Sequence, residues 1–139
     1  MENMAGIIGA VGFSVMTIRP ADSAVAMGLG DLPIAAPAHF VTLLESAALA
    51  ALADHLQPGE TTRMLSIELH CLDAVGIGCQ LRATATCTEI VGRDLHFVCD
   101  IYEGNRHIAQ AQMTRATVER VSFLARTAAQ SLNSQIFPQ

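Results

Sequence analysis

The sequence predicts an α+β domain in which an antiparallel β-sheet wraps around one long helix. Two observations carry that expectation. A run of apolar residues, "HFVTLLESAALAALADHL" (39–56), has the length and Ala/Leu content of a helix rather than a strand. After it the apolar period changes from 3.6 to 2, and four alternating segments follow at short spacings. Short turns join antiparallel neighbours, and one helix with one such sheet defines the class.

The elements are justified in chain order. "VGFSVMTI" (11–18) is rich in β-branched residues and is stopped by Pro20, as a first strand would be. "GLGDLPIAAP" (28–37) is a Gly/Pro loop, and Pro37 suits the first turn of the helix that follows. The helix is expected from Ala38 to Leu56, stopped by "QPGE", and buried on most sides because it is apolar nearly all round. Its wet side is expected near His39, Ser46 and Asp54. The strand "TRMLSIELHCL" (62–72) puts Leu65, Ile67, Leu69 and Cys71 on one face and Met64, Ser66, Glu68 and His70 on the other. "CQLRATATCTEI" (79–90) and "LHFVCDIY" (95–102) alternate in the same way across the turn "VGRD". "HIAQAQMTRATVERV" (107–121), after "EGNR", is a long last strand. A short helix is expected in the tail from Ser122. No repeat or linker interrupts the chain, so one domain over 1–139, with its core at about 13–123, is expected.

Composition bounds the function. Half the residues are hydrophobic (51%), which excludes a disordered chain. A formal net charge of −5 with only eight Lys and Arg gives no electrostatic footprint for nucleic acid. The opening "MENMAGIIGAVGF" lacks the positive start of a signal peptide, and no run reaches the length of a membrane span. Cys71, Cys79, Cys87 and Cys99 form no CxxC pair and read as thiols in a reducing cytoplasm. No His and carboxylate set has metal-ligand spacing, so no metal is expected.

One residue breaks the pattern. Glu45 lies in the middle of the apolar helix, on a stripe with Val41, Leu49, Leu52 and Leu56. An unpaired buried carboxylate is costly, so Glu45 reaches water, has a partner or has a chemical task.

Four pieces, in order, carry a resemblance: "GDLPIAAPAHFVTLLESAA", the helix stop "LQPGET", the hairpin "EIVGRDLHF" and the strand "MTRATVERVSF". Together they resemble the hot-dog fold thioesterases, and among them the fluoroacetyl-CoA thioesterase-like family. The resemblance implies a hot-dog fold and hydrolysis of a small or medium acyl-CoA thioester. It implies no cofactor beyond coenzyme A as part of the substrate, and a site formed between the subunits of a homodimer, with a tetramer as a further assembly. The family uses a helix Glu, a Thr just ahead of the helix and a His at the end of the next strand. Glu45 takes the Glu position as nucleophile or base. Pro37 stands eight residues before it where the family has its hydroxyl, with Thr42 as a substitute one turn before Glu45. A gapless count puts Cys71 at the His position and His70 one residue early; a β-bulge near "DAVGIG" would turn His70 inward. Met64 falls where the family has Gly beside the acyl pocket, Arg115 falls at the family's Arg position, and His39 borders the cleft. The alternative is a hot-dog protein that binds an acyl-CoA or related ligand without hydrolysis; a hydratase is a weaker third reading.

Overall fold

The computed structural model describes residues 4–136. Of the opening segment, residues 1–3 lie outside the described residues; Met4–Ile7 form a one-turn helix, α1. Strand β1 (Val11–Thr17) follows, then a 3-10 turn at Pro20–Asp22, helix α2 (Pro37–Leu52) and strands β2 (Glu60–Cys71), β3 (Gln80–Val91), β4 (Asp94–Glu103) and β5 (Arg106–Glu119). Helix α3 (Arg120–Ile136) closes the described chain.

The five strands form one antiparallel sheet in the order β1-β3-β4-β5-β2. Strands β1 and β2 are therefore its two edges. The hairpin turns place Gly92 and Gly104 at positive φ, where a side chain would be strained. Helix α2 lies on the concave face. It buries Phe40, Leu43, Leu44, Ala47, Ala48, Ala51 and Leu52 against Leu81, Ala83, Ala85, Phe97 and Met113 of the sheet. Each large side chain buried there contributes about 1.5–3 kcal/mol. Helix α2 and strand β1 pass close together at Gly12: a Cβ on it would collide with the carbonyl oxygen of Ala47.

Three expectations are corrected. The helix ends at Leu52, not Leu56, and Ala53–Leu56 run on as turns and bends. It is covered on most sides, but its wet side is wider than expected: Thr42, Leu49 and Ala50 are exposed beside Ser46, leaving one flank open. The tail is not a short, weak helix. α3 has 17 residues and stands largely clear of the sheet.

The fourth correction concerns β2. Its register on β5 shifts between Met64 and Ser66, so Leu65 is a bulge residue with no partner. Before the bulge, Thr62 and Met64 face the helix side, opposite Thr117 and Arg115. After it, Ile67, Leu69 and Cys71 face that side, opposite Met113, Ala111 and Ala109. Met64 thus joins the inner face and packs on the core, while Leu65 turns out and is 41% exposed. One extra residue reverses the alternation, as the pleat requires.

Candidate active site

The inner face of the sheet positions Glu45. Arg115 points from β5 toward α2 and is buried, with 4% of its surface exposed. Its Nη1 donates to Glu45 Oε1 at 2.7 Å, its Nε to Thr62 Oγ1 at 2.9 Å and its Nη2 to the Thr62 carbonyl at 3.2 Å. The guanidinium is thus held by a rigid strand and in turn holds the carboxylate. The Glu45 side chain remains 35% exposed on the open flank of α2. Among the described residues, none donates a hydrogen bond to its Oε2. The puzzle of the apolar helix resolves in two ways at once: Glu45 has a partner and also reaches water. Met64 lies opposite Arg115 in the β2–β5 pairing and lines the same inner surface.

A second group gathers at the start of α2. Pro37, Phe40 and Cys71 line a cavity of about 430 Å³ with Ala24, Ile34, Ala35 and the Leu72–Ala74 turn. The walls are mostly apolar, as an acyl chain needs. Cys71 is exposed, and partial desolvation at the cavity wall raises its thiol above the ordinary range. Thr42 is exposed on the helix, its hydroxyl donating back to the Ala38 carbonyl at 3.4 Å. His39 sits in the first turn of α2, its Nε2 3.7 Å from Asp22 Oδ1 and without a hydrogen-bond partner. Asp22 is itself buried. Hydrogen bonds from Arg19 hold its carboxyl below the usual range, and its main-chain carbonyl accepts from Ala36 N–H at the entry to α2.

His70 lies elsewhere. It pairs with Gln110 on the outer face of the sheet, where its Nε2 is 3.1 Å from Glu68 Oε1. The bulge that β2 does contain, at Leu65, precedes both His70 and Cys71, and leaves Cys71 inward and His70 outward. His96 and His107 lie on that outer face too. His96 contacts Thr114, while His107 contacts Asp100 at 2.8 Å and stacks on Tyr102.

The sheet therefore brings Glu45, Arg115 and Met64 together, and separately Pro37 and Cys71; His70 joins neither group. Thr62 and Asp22 were not singled out in the sequence. Thr62 is one of many strand threonines, and Asp22 looks like an ordinary loop acid. Among the described residues no three His, Cys, Asp or Glu side chains converge to hold a metal ion.

A sheet wrapped on one central helix, with a carboxylate at the helix flank, defines a hot-dog domain. Solved structures bear out that fold. A point variant of the fluoroacetyl-CoA-specific thioesterase FlK superposes with a TM-score of 0.80 at 22% identity, over 88% of this chain and 96% of that one. A Thermus thermophilus hypothetical protein, described as a thioesterase superfamily member, gives a TM-score of 0.86 at 17% identity over 94% and 96%. A hot-dog-like protein from Thermanaerovibrio acidaminovorans gives 0.81 at 16% identity over 88% and 91%. No curated protein matches in sequence. The family model described as fluoroacetyl-CoA-specific thioesterase (FlK) matches residues 18–121, and the chain belongs to that family.

Proposed function

We propose that this protein is an acyl-CoA thioesterase acting on a small or medium acyl group. The observation that carries the reading is Glu45, held through Oε1 by the buried Arg115 and open through Oε2 to the solvent flank of α2. Glu45 acts as general base. Its Oε2 takes a proton from a water, which attacks the thioester carbonyl carbon. When the tetrahedral intermediate collapses, the C–S bond breaks and the sulfur leaves with the proton that Glu45 returns. The products are the free acid and CoA. In this reading N–H groups at the start of α2 stabilise the oxyanion, and isotope labelling distinguishes base from nucleophile.

In this reading Cys71 and Pro37 line the acyl pocket, Met64 narrows the inner surface near Arg115, and His39 and Thr42 border the cleft. His70, on the outer face, is outside it. The domain spans the whole chain, and it works as a homodimer: β2 is an open edge whose unpaired N–H and C=O groups suit pairing with a second β2. A tetramer is a further assembly of the same unit. No described helix is long and apolar enough to cross a membrane. The four free thiols suit a reducing cytoplasm.

The test is thioester hydrolysis on a panel of short and medium acyl-CoAs with a thiol-trapping dye, for the wild type and Glu45→Gln. The reading expects turnover in the wild type and a loss of about a hundredfold or more in the variant. A single turnover in ¹⁸O-water should put the label in the acid and none in Glu45. Pro37 in the place of the family's hydroxyl supports a second reading, binding without turnover. CoA raising the melting temperature of a protein that hydrolyses no thioester would establish it.

A further inference from the structure

The chain has eight arginines and no lysine. Three of these arginines meet at one corner, where β5 runs into α3. Arg63 projects from β2 with its guanidinium carbon 5.5 Å from the centre of the Phe123 ring, and Arg126, one turn further along α3, stands 5.9 Å from the same ring. Arg93, from the β3–β4 turn, lines a cavity of about 370 Å³ with Arg126, Phe123, Val118, Glu119 and Ser122. Among the described residues none of the three arginines forms a salt bridge; the ion pairs that arginines make engage Arg19, Arg106 and Arg115. Two carboxylates at the corner are engaged by main chain, while Asp94, next to Arg93 and on the Ala116 rung that Arg63 also pairs with, forms no salt bridge among the described residues. Glu119 accepts from the Ser122 N–H at 2.6 Å, and Glu60, opposite it across β2–β5, accepts from the Gln57 N–H at 2.8 Å.

Three unpaired cations in a chain of net charge −5 repel one another unless an anion joins them. Cation–π contact holds Arg63 and Arg126 at the Phe123 ring, and among the described residues no side-chain hydrogen bond engages their N–H groups, which are therefore free to contact phosphate oxygens. The corner lies at the same end of β5 as the thioester site. Arg115 and Val118 are three residues apart, about 10 Å at the strand rise, and face opposite sides of the sheet, so an extended pantetheine arm would pass around the end of the sheet to join the two.

We propose that Arg63, Arg93 and Arg126 around Phe123 form the site that takes the nucleotide phosphates of a CoA thioester. The inference rests on the acyl-CoA reading above and names where that substrate's charged end docks. The thioester end then lies at Glu45 and the phosphates at the β5–α3 corner.

The test is calorimetric binding of CoA, 3′-dephospho-CoA and pantetheine to the full-length wild type and to Arg93→Ala/Arg126→Ala. Both positions are exposed, and a matched melting temperature checks that the variant is folded. The expected result is CoA affinity weakened tenfold or more in the variant, with a shallower dependence on salt and unchanged pantetheine affinity. Arg63→Ala should weaken CoA in the same direction. With a hydrolysable acyl-CoA, KM should rise and kcat stay constant, while an acyl-pantetheine is turned over equally by both proteins. Equal CoA affinity in wild type and variant overturns the site. Failure of the thioesterase reading is separate: it shows as absent turnover, and the binding comparison is still decisive. A wild type that binds CoA no more tightly than pantetheine overturns the proposal as well.

Discussion

Replacing Arg115 by Met tests the anchoring of Glu45 directly. Met keeps length and apolar bulk but removes every donor. The loss has two parts. Thr62 loses the donors to its hydroxyl and its carbonyl, both on a buried residue, and unsatisfied buried acceptors cost about 1–3 kcal/mol. Glu45 loses its partner but is 35% exposed, so water replaces most of that interaction and its share is at most about 1 kcal/mol. The sum is about 3 kcal/mol, or roughly 10 °C in Tm for a chain of this size. Activity should fall further than stability explains. With Oε1 no longer fixed, the carboxylate samples other rotamers, and kcat should drop about tenfold or more with little change in KM. Thermal melts and steady-state kinetics of Arg115→Met, Glu45→Gln and the double variant form a mutant cycle. The first loss should make the second smaller, with coupling of about 1 kcal/mol or more. A single variant that melts within 2 °C of wild type with unchanged kcat, or strict additivity in the cycle, would refute the anchoring argument.

Four other outcomes follow from the geometry. Gly12→Ala drives a methyl group into the Ala47 carbonyl and the Ala51 amide, both backbone; β1 and α2 must separate, so urea unfolding should show a loss of about 3 kcal/mol or more. Cys71 is exposed to reagent but its thiol is raised by partial desolvation, so alkylation by iodoacetamide should be slow at pH 7 and accelerate above pH 9. Asp22 is held below its ordinary value of 3.8 by Arg19; its contribution to stability is full above that value and lost as pH falls through the lower folded value, so Asp22→Asn should flatten the acid limb of a stability–pH curve below about pH 4. Light scattering should give twice the chain mass of 14.7 kDa at micromolar concentration, and a monomer would remove the shared-site arrangement.

The strands and hairpins were legible because period 2 and glycine turns are local signals. β3 and β4 begin and end within one residue of the expected bounds. What failed depended on pairing. A bulge leaves no mark in "TRMLSIE", since Met64 and Leu65 are both apolar and either fits the inner face; only the partner strand, through Arg115 and Thr114, decides. The helix end at Leu52 was hidden because Ala53 and Leu56 are as helix-favouring as the residues before them. α3 was underestimated because its apolar residues have little of the body to pack on, and Val121, Leu124 and Leu132 are exposed in this chain. In the site, Glu45 stood out as a charge in an apolar run. Its partner was marked only by the family resemblance: Arg115 lies 70 residues away and by its own surroundings looks like an ordinary strand arginine.

The bulge also bears on the relation between this site and the family pattern. A residue inserted before His70 and Cys71 shifts both by one face. Were Leu65 an ordinary paired residue, the alternation that places Met64 inward would carry Ser66, Glu68 and His70 inward with it. With Leu65 as a bulge, Met64, Ile67, Leu69 and Cys71 share the concave side. The same bulge that seats Met64 opposite Arg115 therefore sends the histidine out and brings the thiol in. Deleting Leu65 is the matching perturbation. It removes the unpaired residue, so Met64 opposite Arg115 and Ser66 opposite Thr114 become consecutive and β2 pairs with β5 without a break. His70 should stay outward and Cys71 inward, and urea unfolding should change by about 1 kcal/mol or less, since the deleted side chain is largely outside the core. A loss of about 3 kcal/mol or more, the cost of exposing Ile67 and Leu69, would mean that the strand slips in register instead, and that the inward position of Cys71 is not fixed by the pairing.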